Sequence, residues 1–190
     1  SILEGVIVSA YKYVKENCQR ELEVLDLDLE VPKIPFKRIT YTDALKIAKN
    51  SQSIPMQWGD DIDTETEKFL GETIGEHYFL TEWPSIIKPY YTLPYEDRPD
   101  ICRGFDLMHP RMELASGAQR VHDYQLLSDR IKDKGLAPEN FEFYLNAFKY
   151  GMPPHAGWGL GLSRLVMTML DLENIRDAVI FPRDRRRLVP

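Results

Sequence analysis

Apolar residues at 3, 6, 7, 10, 11, 14 and 18 (Leu3, Val6, Ile7, Ala10, Tyr11, Val14, Cys18) follow helical spacing and predict one amphipathic helix over residues 3–24. It opens the chain with no lead-in element, as a segment of a larger fold would. Prolines at 32 and 35 exclude helix from the stretch that follows. Arg38-Ile39-Thr40 reads as a short strand. Thr42 is the expected cap of a helix running to Lys49, and a further helix is predicted over 64–75, ended by Gly75. Three aromatic-rich apolar runs then predict strands at Tyr78–Trp83, Ile86–Thr92 and Cys102–Met108, and a fourth at Arg111–Ser116 makes a hairpin with the third. Helices are predicted at 122–134, 139–149 and from Leu162 to about Leu170. Helices, then hairpin-linked strands, then helices indicate an α+β fold with an antiparallel sheet flanked by helices.

The chain has 190 residues, so one domain with a real core is expected. Its 24 basic and 30 acidic residues give a net charge of −6. A domain that held nucleic acid mainly by charge would be basic, so composition lends no support to such a surface. The one basic cluster is Arg183, Arg185, Arg186 and Arg187, which reads as a solvated surface. Cys18 and Cys102 form neither a disulfide framework nor a zinc site, which suits a reduced, intracellular and cytoplasmic setting. No apolar run approaches a membrane span, and no signal peptide is visible.

Chemistry concentrates in two segments. The first runs from Gly104 to Arg120. With His109-Pro110 as a two-residue turn, Asp106 would pair with Glu113 on one face of the hairpin. Two adjacent carboxylates repel unless a positive charge lies between them, and a divalent cation carrying a substrate phosphate is one candidate. The alternative is that one carboxylate faces solvent or pairs with Arg111. Glu113 and Ser116 lie three apart, so both serve one site only if the strand bends near Ser116-Gly117. Arg120 suits bidentate capture of a carboxylate or phosphate, or is an ordinary surface charge.

The second segment is Gly151–Arg164. Gly157, Gly159 and Gly161 would leave one strand face without side chains, on which a base or ribose could lie. Arg164 then falls near a helix N-terminus, where anions are favoured. The alternative is close packing of a helix across the glycines. The spacing matches neither a P-loop nor a dinucleotide fingerprint. His155 either touches a nucleotide or caps a turn. His77, His109 and His122 lack metal-ligand spacing and read as structural or solvent-facing. Of Tyr90 and Tyr91, adjacent in a predicted strand, at most one lines a given pocket, and core packing is the other role for either.

These segments, in this order, resemble the second half of the class II aminoacyl-tRNA synthetase catalytic domain, aspartyl/asparaginyl group of archaeal or eukaryotic style. Gly157–Arg164 is similar to that class's third signature motif. Phe105-Asp106-Leu107 and Met112–Arg120 are similar to its acidic hairpin, and Phe181–Leu188 to its C-terminus. The resemblance implies that Arg164 is catalytic and binds the ATP γ-phosphate. It implies that Asp106, Glu113 and Ser116 serve Mg2+ and ATP, with Gly159, Gly161 and His155 also on the nucleotide. Arg120 would contact the amino-acid side chain, with Tyr91 beside the amino-acid substrate. The implied activity is aspartate–tRNA ligation in a homodimeric whole enzyme. Asparagine–tRNA ligation, a paralogue that makes asparagine without tRNA, and a non-catalytic binding half-domain are alternatives. Residues 1–190 would be the part after the second motif, without an anticodon-binding domain, and a poor catalyst alone. Ser163 departs from the acidic residue that many relatives carry before the motif arginine.

Overall fold

The computed structural model describes residues 2–50 and 56–189. The first predicted helix is two, α1 (Ile2–Asn17) and α2 (Gln19–Val24), because the Cys18 backbone leaves the helical region at φ −121°, ψ 36°. Leu3, Ile7 and Tyr11 face the core as their spacing predicts. The same face carries Glu4, almost wholly buried, which accepts the Phe36 N–H (2.9 Å) and the Arg38 guanidinium (3.3 Å). Burial of a carboxylate is tolerable with such partners. The proline stretch is irregular, as expected, and leads into β1 (Lys37–Thr40).

The next helix, α3 (Tyr41–Lys49), is capped by Thr40 rather than Thr42. Thr40 accepts the Asp43 N–H, and Tyr41 already has a fully buried helical place in the core. α4 (Thr64–Ile74) begins at the Asp63 cap and stops at Gly75 in the left-handed region, φ 73°. The strands are β2 (Tyr78–Pro84), β3 (Ile101–His109), β4 (Met112–Gln119) and β5 (Ala156–Leu160). After β4 come α5 (Tyr124–Asp133), a 3-10 turn at Pro138–Phe141 and α6 (Glu142–Lys149); α7 (Leu162–Met169) follows β5. The sheet order is β1-β2-β3-β4-β5, antiparallel except for the parallel pair β1–β2. The α+β expectation holds, with that one parallel edge added.

The run Ile86–Thr92 is not a strand. Pro84 and Pro89 remove backbone donors, and cations from α5 and its C-cap take the carbonyls that a ladder would have used. Arg130 donates to the Tyr90 carbonyl (3.0 Å) and the Ser85 carbonyl (3.2 Å), and Lys134 donates to that of Ile86. Only Thr92 makes a bridge, to Arg120.

Each sheet face is covered differently. On one, α1 and α7 pack Leu3, Ile7, Leu165 and Met169 against Phe79, Leu107, Leu114 and Ala115. On the other, α3 and α4 bring Tyr41, Leu45 and Leu70 onto Tyr78, Leu80 and Met108. A third cluster joins α5 and α6 through Val121, Leu127, Ile131 and Phe148, with Tyr90 and Tyr91 against it. The β4–β5 part of the second face lies between the last two clusters.

α4 sits tightly on the hairpin turn: a Cβ on Gly71 would lie 1.9 Å from the Pro110 carbonyl oxygen. Gly71→Ala is expected to destabilise the fold by about 1–3 kcal/mol through overpacking, read from the urea midpoint. His77 and His109 meet edge to face at 5.0 Å, with His77 stacked on Phe36 at 5.1 Å. Burial, then the neighbouring His109 charge, holds His77 down at about 4; burial, then Arg111, does the same for His109. Both fold as neutral rings, whereas the unfolded chain takes up these protons near pH 6.5. Stability is therefore lost as pH falls from about 6.5 to about 4. The double variant His77→Gln/His109→Gln should lose this part of the pH dependence, read from urea midpoints at about pH 7 and about pH 4.5.

Candidate functional site

The site is built on the face that α3 and α4 leave uncovered. The hairpin register differs from the expected one. His109 pairs with Met112 and Met108 with Glu113, so the turn residues are Pro110-Arg111; the fixed φ of proline suits the first central position of a turn and is disfavoured at the second. Beyond that pair the register shifts. Leu107 pairs with Ala115 and Asp106 with Ser116, leaving Leu114 as an extra residue in β4. Asp106 therefore faces Ser116 across the ladder, not Glu113.

The bulge nevertheless brings the expected residues together. Alternate residues of β3 share a face, so Met108 and Asp106 point the same way, and so do their partners Glu113 and Ser116. The bend needed to unite Glu113 with Ser116 exists at Leu114, before the position anticipated from sequence. β5 continues the row: Ser116 pairs with Gly159, and Ala118 with Gly157. Gly161 is not in the strand; it is the cap residue before α7, and a Cβ there would crowd the Arg164 side chain at 3.3 Å.

Gly157 and Gly159 do leave a bare face. A Cβ on Gly159 would meet nothing within 4 Å, and one on Gly157 would meet only an Arg120 nitrogen at 3.7 Å. No helix packs across them, so the close-packing alternative fails. Gly117 differs: its Cβ would lie 2.6 Å from Phe105 and Trp158 on the opposite face.

Charge surrounds this bare strip. Asp106 is buried; one oxygen, Oδ2, accepts Lys88 Nζ at 2.7 Å, and the other, Oδ1, is buried with no hydrogen-bond partner. Glu113 is partly exposed. Burial first, then the Asp106 charge, raises its pKa, against the pull of Arg164 and Lys88. Arg164, in the first turn of α7, donates to the Glu113 carbonyl (2.9 Å) and to Oε1 (3.2 Å). Arg120 donates to the Gly157 carbonyl at 3.3 Å and lies over the Tyr91 ring, 4.6 Å from its centroid. No carboxylate among the described residues forms an ion pair with Arg120, which leaves that guanidinium ready for a ligand carboxylate. His155 turns its Nδ1 to the Pro153 carbonyl (2.9 Å), the turn-capping alternative, while its own carbonyl accepts the Arg120 N–H.

Two residues at the site escaped the sequence reading. Lys88 is the ion-pair partner of Asp106; its signal was a lone lysine inside an apolar, aromatic run. Glu67 reaches from α4 to accept the Glu113 N–H. Nothing in its exposed helical pattern marks it. Ser163 is half-buried beside Arg164, whose contacts run to Glu113 instead. Among the described residues no group of three or more His, Cys, Asp or Glu is placed to hold a metal alone. Asp106, Glu113 and Ser116 nonetheless offer hard oxygens, one of them buried and unsatisfied. That set fits a Mg2+ whose remaining positions are filled by phosphate and water.

Comparison with known proteins identifies the family. The family described as tRNA synthetases class II (D, K and N) matches residues 1–185. The aspartate–tRNA(Asp/Asn) ligase of Methanoculleus marisnigri is 58% identical over 189 residues, and the aspartate–tRNA(Asp) ligase of Pyrococcus furiosus is 52% identical over 195. Each match takes in 100% of this chain and 44% of the relative, so the chain spans less than half the length of the curated relatives it matches. Among solved structures, Entamoeba histolytica asparaginyl-tRNA synthetase in complex with asparaginyl-adenylate superposes with a TM-score of 0.90 at 32% identity, covering 99% of this chain and 44% of that one. Aspartyl tRNA synthetase from the same organism gives 0.91 at 34%, covering 100% and 41%. The fold, the bare glycine strip and these matches lead to one assignment: the chain belongs to the class II tRNA synthetases of the D, K and N group.

Proposed function

We infer that this chain is the C-terminal portion of an aspartate–tRNA ligase catalytic domain, and that the face just described binds aspartate and ATP. The observation that carries the reading is the arrangement of one row: an arginine without an acidic partner at one end, a bare strand face in the middle, and two carboxylates on one face with a second arginine at the other. An acidic amino acid and a nucleotide triphosphate, laid end to end, match that order of charges. Aspartate is favoured over asparagine because Arg120 offers a full charge where a carboxylate would sit, and because the relatives at 52–58% identity carry the aspartate name.

Each group has a distinct task. Arg120, braced by the Tyr91 ring and the Gly157 carbonyl, takes the side-chain carboxylate of the substrate. Gly157 and Gly159 let the adenosine lie on backbone, with its flat faces against the strand. Arg164 meets the γ-phosphate from the start of α7, where its present contacts with Glu113 already direct it. Asp106, Glu113 and Ser116 would hold Mg2+, which when bound offsets phosphate charge. The substrate α-carboxylate attacks the α-phosphorus, the bond to the bridging oxygen breaks, and pyrophosphate leaves. The tRNA 3′ hydroxyl then attacks the mixed anhydride and releases AMP. No side chain forms a covalent bond; positioning and charge neutralisation supply the acceleration. Dimerisation and tRNA contacts belong to the whole protein.

ATP–pyrophosphate exchange with the longest reading frame that carries this chain tests the reading. Aspartate-dependent exchange is expected. Exchange with asparagine alone would move the assignment to asparagine, and exchange with neither would remove the enzyme reading. In that protein Arg164→Ala should cost about 3 kcal/mol of transition-state stabilisation, measured by kcat/KM for exchange. Gly159→Ala should leave the melting temperature unchanged, because its methyl meets open space, yet weaken ATP binding by on the order of 1 kcal/mol or more, measured by calorimetry.

A further inference from the structure

The ion pair between Lys88 and Asp106 is unlike the others in the molecule. Its side chains are 19% and 2% exposed, whereas every other ion pair among the described residues has a partner at least 47% exposed. The ammonium also lies over the Trp83 ring, 3.8 Å from its centroid. A desolvated pair of this kind is a poor device for stability, since an apolar pair of the same volume does as well. It is a good device for fixing a carboxylate in one orientation. Lys88 engages Oδ2 alone, and Oδ1 is left buried and unpartnered on the face shared with Ser116 and Gly159.

The segment that carries Lys88 is itself clamped. Arg130 holds the carbonyls on either side of it, at Ser85 and Tyr90, and Thr92 N–H closes onto the Pro89 carbonyl at 3.0 Å. An irregular loop is thus tied to α5 at both ends, with its one lysine directed inward. The charge balance needs that lysine. Glu113 and Glu67 lie on the same side as Asp106, and of the two cations that act on Glu113, Arg164 contacts Glu113 while Lys88 contacts Asp106.

We propose that Lys88 is a positioning residue of the nucleotide half of the site: its ammonium, seated on Trp83, pins one oxygen of Asp106 so that the other is presented to a divalent cation together with Glu113 and Ser116. This rests on the reading of Asp106 as a cation ligand. Partners of this kind, bound to a ligating carboxylate and not to the ion, typically change metal affinity by about 10–100-fold when removed.

The test uses the full-length protein with Mn2+ as the probe, followed by electron paramagnetic resonance in the presence of α,β-methylene-ATP, beside exchange kinetics. Lys88→Met is expected to weaken Mn2+ binding at least about tenfold, while the KM for aspartate stays near wild type because the ammonium is held by Asp106 and Trp83 and not by Arg120. Lys88→Arg should recover most of the affinity. Should Lys88→Met fail to fold by near-ultraviolet circular dichroism, Lys88→Gln takes its place with the same expectation. Wild-type or tighter Mn2+ binding by the neutral variant, with Asp106→Asn weakened, overturns the proposal and leaves the cation reading standing. A parallel rise in the aspartate KM also overturns it, since that is the mark of a merely structural lysine. Undiminished Mn2+ binding by Asp106→Asn removes the cation reading first, and the role of Lys88 with it.

Discussion

The extra residue at Leu114 is the constraint on which the rest of the site depends. Strict alternation would put Glu113 and Ser116 on opposite faces of β4. The bulge lets Leu114 and Ala115 both enter the core under α1 and α7, while Glu113 and Ser116 both face outward beside Asp106. A bulge also releases backbone groups from the ladder, and these must find partners. Here they do so in the neighbouring elements. The Glu113 N–H goes to Glu67 on α4, the Glu113 carbonyl to Arg164 on α7, and the Leu114 carbonyl to the Gly161 N–H at 2.9 Å. One local irregularity therefore sets the face of the acidic residues and ties both flanking helices to them.

The glycine strip works by a complementary logic. Gly117 is needed on the packed face, where Phe105 and Trp158 close over it; Gly157 and Gly159 are needed on the open face, where nothing does. The two sides of the same strand pair thus use glycine for opposite reasons. The packed side anchors the strand pair, and the bare side is left open for a flat group. Arg120 borders that flat region and is held by a ring and a carbonyl, neither of which neutralises it.

Much of this was legible from residue order. The α+β class, the helix spacing of α1, the Asp106–Arg120 hairpin and the bareness of Gly157 and Gly159 followed from period and glycine placement. What was not legible came from tertiary competition. The run Ile86–Thr92 has strand composition, but Arg130 and Lys134, 40 or more residues away in sequence, claim the carbonyls of Tyr90 and Ile86. The hairpin register failed by one turn position, and the bulge then restored the shared face by a route that spacing alone does not encode. Thr40 displaced Thr42 as cap because Tyr41 is worth more buried in the core than left in a lead-in. Lys88 was passed over because a lysine in an apolar run looks like an exception, and its burial depends on Asp106 and Trp83, which lie on other strands.

Net charge misleads for the same reason. A chain at −6 would be expected to repel a nucleotide triphosphate. The field that a ligand meets, however, is set by the few charges within a Debye length that water does not screen. On this face those are Lys88, Arg120 and Arg164, set against Asp106, Glu113 and Glu67. Lys88 and Arg164 are each matched to one carboxylate, and Arg120 is matched to none among the described residues. The acidic surplus lies in exposed residues elsewhere, such as Asp28, Glu72 and Asp97, whose side chains are 65% or more exposed. Three cations against three carboxylates leave the strip locally neutral, and the one arginine without an acidic partner can receive an acidic amino acid at its end, whatever the sign of the whole chain.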